Sequence, residues 1–189
     1  QIFAFTAAPV TVFLSGIIGS QFSPVKSLAT LPMALSIVGI AIFAIFAAKV
    51  MSIIGRRAGF IFASIISSLS SLLAAYSIII ESFILFNFAC FLLGAGVAFS
   101  HQYRFAAVET VKKDMAPKAI SIILLAGIGS AFIGPNVANV TKDIIAEHLY
   151  AGSYIALAAL TLTSTIFLLF YEDGHKPNRI NKKIARSYL

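Results

Sequence analysis

The stretch Gly55-Arg56-Arg57-Ala58-Gly59 lies between two long apolar runs of the sequence. Two adjacent arginines enter the hydrocarbon core of a bilayer only at a large cost in free energy, so this stretch indicates a point where the chain reaches a membrane surface. The side of the membrane on which it lies then orients every other apolar run.

The composition supports a membrane interpretation. Of the 189 residues, 59% are hydrophobic and only 11% are Asp, Glu, Lys or Arg, whereas a soluble domain carries roughly 25% charged residues. The single cysteine, Cys90, lies in an apolar run and indicates neither an internal disulfide nor a metal site. We therefore expect an integral membrane protein without a cofactor or a bound metal ion.

Six apolar runs are long enough to cross a bilayer, because a hydrocarbon core of about 30 Å needs about 20 helical residues. They are too long, and alternate too little, to be strands of a β-barrel. The predicted spans are residues 2–19, 29–48, 58–80, 83–103, 119–140 and 152–171, and the fourth helix is expected to continue past Glu109. The sequence thus predicts an all-α, polytopic fold, with a six-helix transmembrane bundle over residues 1–171 and a basic tail over residues 172–189.

Lysine and arginine are distributed unequally between the two sides of this bundle. The side that contains the Gly55 stretch has twelve of them: Lys49, Arg56, Arg57, Arg104, Lys112, Lys113, Lys118, Lys176, Arg179, Lys182, Lys183 and Arg186. The other side has only Lys26 and Lys142. The positive-inside rule then places the 49–57 loop, the 104–118 loop and both termini in the cytoplasm. The net charge of +7 therefore reflects topology, and nucleic-acid binding is not expected.

Small residues on one helix face predict close helix packing in a membrane. The fifth span has such a face, followed by Pro135, which lacks an N–H group and is expected to distort the helix. The third span has a face of serines. The residues of the two faces are Gly127, Ser130, Ala131 and Gly134 in the fifth span and Ser64, Ser67, Ser68 and Ser71 in the third. The alternative interpretation is that these faces slide or line a cavity.

Polar side chains within the spans are few, and none of the six cores contains Asp or Glu. His101, Gln102 and Arg104 near the end of the fourth span, and Asn136 in the fifth, are the candidates for a substrate cavity or pathway. His101 is equally explained as a packing residue at the level of the lipid headgroups.

Glu109 is predicted to approach Arg56 or Arg57 on the cytoplasmic surface, because Arg104 lies about 140° away from it around the helix. A solvated ion pair of little energetic consequence is one interpretation. The other is a latch between the 49–57 loop and the fourth helix that opens when the helices move.

These motifs resemble the major facilitator superfamily, which has the loop Gly-x-x-x-Asp-x-x-Gly-Arg-Arg between its second and third helices. Gly55-Arg56-Arg57 matches the end of this loop, and Glu109 matches the acidic residue typical of the end of the fourth helix. Ala48 and Ser52 stand where the first Gly and the Asp are usual. The part of the family's charge relay that depends on the Asp is therefore not expected here.

The fifth span is similar to the family's Gly-Pro signature through Gly127, Gly134 and Pro135. In the fourth span, Cys90 occupies the position where the family often has an Arg, so a role of that Arg does not carry over. The run 101–107 resembles a subgroup of bacterial members, which implies a location in the bacterial plasma (inner) membrane.

The resemblance implies the N-terminal half of a twelve-helix transporter, built from two three-helix repeats of inverted topology, with the first and fourth helices lining a central cavity. It further implies secondary active transport of a small molecule by alternating access, rather than an enzyme. The partners implied are the substrate, the lipid bilayer, and either a missing C-terminal half or a second copy of the chain. Proton coupling is a habit of the family, but the acid for it would have to lie outside these six spans.

Two other functions are the alternatives to transport. A non-transporting or degenerate six-helix scaffold is permitted by Ser52 and Cys90. An intramembrane protease would need Ser130 as a nucleophile beside a His base, and the predicted topology places His101 and His148 at the membrane surfaces.

Overall fold

The computed structural model describes residues 2–170, and all of its regular elements are helices. The predicted basic tail, residues 172–189, lies outside the described residues. Eight α-helices and two short 3₁₀ turns, Lys26–Leu28 and Lys113–Met115, form six segments of membrane-spanning length. The helices are α1 (Ile2–Phe5), α2 (Ala7–Phe22), α3 (Leu31–Ile54), α4 (Arg56–Ile79), α5 (Phe83–Ser100), α6 (Tyr103–Thr110), α7 (Ala116–Val140) and α8 (Ala151–Leu169). The predicted six-helix membrane fold is confirmed.

The first span is interrupted at Thr6, between α1 and α2, where one unbroken helix was expected. Pro9 explains the interruption: it has no N–H group for the carbonyl of Phe5, and its ring crowds that carbonyl. Helical hydrogen bonding resumes when the N–H of Val10 donates to the carbonyl of Thr6 at 3.2 Å. Two shorter helices therefore replace the predicted one.

The fourth span is also interrupted, at His101 and Gln102, although the sequence predicted a continuous helix past Glu109. The N–H of Gln102 donates to the carbonyl of Phe99 at 3.0 Å, a tighter turn than that of an α-helix. The chain then re-enters a helix as α6, which extends to Thr110. Residues 103–110 thus form a separate helical segment on the end of α5.

The second span packs along the fourth through contacts between backbones. A methyl group at Gly94 of α5 would lie 2.2 Å from the carbonyl oxygen of Ser36 in α3, and one at Gly39 of α3 would lie 2.3 Å from the carbonyl oxygen of Phe91. Only glycine at both positions permits this separation. α5 is consequently the most deeply buried long helix of the bundle, with α3 on one side and α4 on another.

Part of the serine face of α4 packs against α8, whereas Ser67 of that face lies against Gly96 of α5. Ser68 donates to the carbonyl oxygen of Ala158 at 3.2 Å, and the hydroxyl groups of Ser64 and Thr165 form a hydrogen bond. These contacts correspond to the packing interpretation of the serine face. α3 and α7 lie at the outside of the bundle and expose most of their length. The inverted relation between the two halves of the bundle stays a prediction.

Candidate functional site: a charged cluster at one end of the bundle

Gly55 is the single residue between α3 and α4. Its backbone has φ 90° and ψ 160°, a conformation that residues with a side chain rarely adopt. The chain therefore reverses direction within one residue, and Arg56 becomes the first residue of α4. Arg56 and Arg57 consequently leave the bundle end from the first turn of a helix.

Arg56 forms a two-point ion pair with Glu109 of α6. Its Nη2 atom lies 2.7 Å from Oε1 of Glu109, and its Nε atom lies 3.1 Å from Oε2. This fork geometry is the strongest form of a carboxylate–guanidinium contact. Both side chains remain partly accessible, 22% for Arg56 and 42% for Glu109, so solvent weakens the attraction.

Arg57 contacts a different element. Its Nη2 group donates to the carbonyl oxygen of Leu169 at the C-terminal end of α8. The carbonyl groups at the end of a helix have no partner within the helix and carry partial negative charge, so a guanidinium group is favourable there. Two consecutive arginines thus join the start of α4 to the ends of α6 and α8.

An apolar cluster lies beneath these charges. The ring of Tyr103 in α6 stacks on that of Phe60 in α4, with 4.0 Å between their centroids. Met51, Ala106 and Leu168 are buried in the same cluster. The inner face of α6 is therefore held by apolar packing as well as by the ion pair.

Ser52, which stands where an Asp is usual in the resembled loop, is exposed. Its hydroxyl donates to the carbonyl oxygen of Lys49 at 2.7 Å within its own helix. The ion pair of this loop is therefore built from Arg56 and Glu109 and involves no carboxylate at position 52.

The fifth span is α7, and it contacts the first span through Gly134 of its Gly-Pro motif. A methyl group there would lie 3.1 Å from Pro9 and 3.2 Å from Val10, whereas a methyl group at Gly127 would meet no neighbouring atom within 4 Å. Ala131 is exposed and Ser130 is buried, so the predicted small-residue face is only partly a contact face. α7 remains a continuous helix through Pro135.

The four candidate pathway residues do not form one group. His101, Gln102 and Arg104 follow one another at the interruption of the fourth span, where His101 makes an edge-to-face contact with Phe5 at 5.5 Å. Asn136 is exposed near the opposite end of α7, and its amide donates to the carbonyl of Phe132 in the same helix.

Sequence reasoning did not predict the contact between Arg57 and α8, nor the stack of Phe60 on Tyr103. Both depend on how distant helices pack, and neither leaves a local pattern in the sequence. The interruption at Thr6 did have a signal, because Pro9 alone indicates a break one turn earlier.

The comparison with known proteins places the chain in a family. A family model described as the Major Facilitator Superfamily matches residues 2–187. The chain belongs to the major facilitator superfamily, as its motifs suggested. Its members are transporters, which favours the prediction that this protein is not an enzyme.

Three curated relatives cover about nine-tenths of the chain. The riboflavin transporter RfnT of Brucella anthropi is 30% identical over 93% of the chain. The uncharacterized MFS-type transporters YdeG and YddS of Bacillus subtilis are 28% and 25% identical over 89% and 90% of it. The chain spans 45%, 40% and 40% of the lengths of these relatives. No solved structure matches it significantly.

Proposed function

We propose that this six-helix unit is half of a secondary transporter that moves a small molecule by alternating access, and that Arg56 and Glu109 form its latch. The observation that carries the proposal is the two-point ion pair between the loop joining the second and third spans and the end of the fourth span. Family membership supplies the class of protein.

The position of Glu109 suits a latch because it lies on a separate segment. α6 follows the interruption at His101 and Gln102, so it can tilt without unwinding α5. The ion pair is partly solvated, and exposed pairs contribute roughly 0.2–1 kcal/mol. A contact of this strength biases a conformational equilibrium without preventing the transition.

Riboflavin is the substrate we propose to test first. The support is the similarity to a protein named a riboflavin transporter, which extends over 93% of this chain. The full cavity would be completed by a second half or a second copy, since the chain spans 45% of that relative. If transport is coupled to protons, the acid that carries them lies outside the six apolar cores, none of which contains Asp or Glu.

We further propose that the charged cluster lies in the cytoplasm of a bacterium, beneath its plasma membrane. The support is the excess of lysine and arginine on that end of the bundle. Attachment of a reporter enzyme to residues of the 141–150 loop, which we place outside the cell, tests this orientation.

Uptake of radiolabelled riboflavin tests the function. The protein at its native length is expressed in a riboflavin-requiring bacterium that lacks its own riboflavin transporter. We expect uptake above the empty-vector control, reduced by unlabelled riboflavin and unaffected by unlabelled thiamine. If the protein is present in the membrane and the cells show no uptake of riboflavin and no efflux after preloading, riboflavin is not the substrate. A non-transporting scaffold would move no member of a wider substrate panel.

A further inference from the structure

The segment of residues 103–118, which comprises α6, the turn after it and the start of α7, has an outward surface with two kinds of side chain. We call residues 103–118 the basic segment. Its cations are all exposed: Arg104, Lys112, Lys113 and Lys118. Its two acids are Glu109, which Arg56 engages, and Asp114. The outward surface is therefore cationic.

Large apolar side chains are exposed between these cations. Phe105 is 56% exposed, Val111 38% and Met115 44%. A water-exposed loop that joins two helices has no need of three such side chains within the eleven residues 105–115, and the combination of cations with large apolar side chains is typical of segments that lie in a lipid interface.

The orientation of α6 turns this surface away from the bundle. Tyr103 stacks on Phe60 and Ala106 is buried, which fixes the inner face. Arg104 and Phe105 lie about 100° and 200° around the helix from Tyr103. Their side chains therefore leave the helix away from α4.

We infer that the basic segment binds anionic phospholipids of the adjacent leaflet. Lys112 and Lys113 would contact the phosphate groups, and Phe105, Val111 and Met115 would enter the boundary between headgroups and acyl chains. The fourth span ends in this segment, so it lies at headgroup level. Charge decides between lipid and protein as the occupant, because lysine is depleted at protein interfaces, whereas each cation near an anionic membrane surface adds to its binding.

The test uses the native-length protein in nanodiscs of phosphatidylethanolamine, with or without phosphatidylglycerol. An NBD fluorophore is attached to Val111→Cys after the other cysteines, Cys90 included, are replaced. We expect a blue shift of NBD emission and quenching by brominated phosphatidylglycerol. Because each cation contributes about fivefold, Lys112→Gln with Lys113→Gln should lower the preference for phosphatidylglycerol roughly 30-fold. The matched control is Lys26→Gln with Lys142→Gln, which removes the same charge from the opposite end of the bundle.

Two outcomes would overturn the inference. A label in water in both kinds of nanodisc would show that the segment does not meet lipid. A label equally shielded in both, and in detergent, with no effect of the lysine substitutions, would show that another part of the protein covers the segment. A label at Met115→Cys repeats the measurement if the Val111 variant does not fold. The test does not depend on the transported substrate, so it stands apart from the riboflavin experiment.

Discussion

At the scale of single residues, the charged cluster depends on a backbone conformation that one residue provides. Gly55 lies between α3 and α4 and caps the ends of both helices, with φ at 90°. A side chain at this position would meet the backbone in a region that is essentially restricted to glycine. The directions of Arg56 and Arg57 follow from this turn.

We expect Gly55→Ala to lower the free energy of unfolding by about 1–3 kcal/mol, because alanine is strained in that conformation. Thermal unfolding of the purified native-length protein in detergent measures the loss. Gly127→Ala is the matched control, since Gly127 is helical and the added methyl group would meet no neighbouring atom within 4 Å. Equal melting temperatures for the two variants would contradict the strain argument.

At the scale of helices, the first and fifth spans pack where each contains a proline. Gly134 of α7 precedes Pro135 and approaches Pro9 and the carbonyl of Thr6 in the first span. The carbonyl of Ala138, near the end of α7, accepts a hydrogen bond of 2.6 Å from Ser153 of α8. α7 is therefore held to the first span and to α8 by a few small or polar groups, although most of its surface is exposed.

Gly134→Val is expected to separate these helices, since even a single methyl group would lie 3.1 Å from Pro9. Overpacking of this kind costs about 1–3 kcal/mol. Ala131→Val on the exposed side of the same helix should melt like the wild type. The expectation is wrong if Gly134→Val melts no lower than the Ala131 variant.

At the scale of the whole molecule, Arg56 and Arg57 differ in how far the helix that each one binds can move. Arg57 binds the end of α8, which packs along α4 through serine hydrogen bonds and is held there in any case. Arg56 binds α6, which has its own point of flexure. We therefore propose that the ion pair between Arg56 and Glu109 is the contact that breaks when the helices move.

Loss of this ion pair should expose the face of α6 beneath it. Ala106 is 3% exposed when the ion pair is formed, so a cysteine there reports opening through its rate of reaction with a maleimide. We expect Glu109→Gln to raise that rate by up to about fivefold, the equivalent of about 1 kcal/mol for an exposed pair.

The exchange of both charges, Arg56→Glu with Glu109→Arg, should return the labelling rate toward that of the wild type. Lys49→Gln, on the same surface, is the control for a general loss of charge. An unchanged rate in Glu109→Gln would show that the apolar packing of Tyr103 and Ala106 alone holds α6, and the latch proposal would then fail.

The sequence by itself determined that this is a six-helix membrane protein of the major facilitator superfamily, and it paired Glu109 with one of two arginines. These conclusions depend on local properties: the length of an apolar run, the unequal distribution of cations among the loops, and the spacing of a loop motif. Only the tertiary structure decided that Arg56 binds Glu109 while Arg57 binds α8, that α6 is a separate segment, and that Gly134 rather than Gly127 is the contact glycine. The physical reason is that each of these depends on the distance between residues of different helices, and helix packing sets that distance through many weak contacts that leave no periodic pattern in the chain.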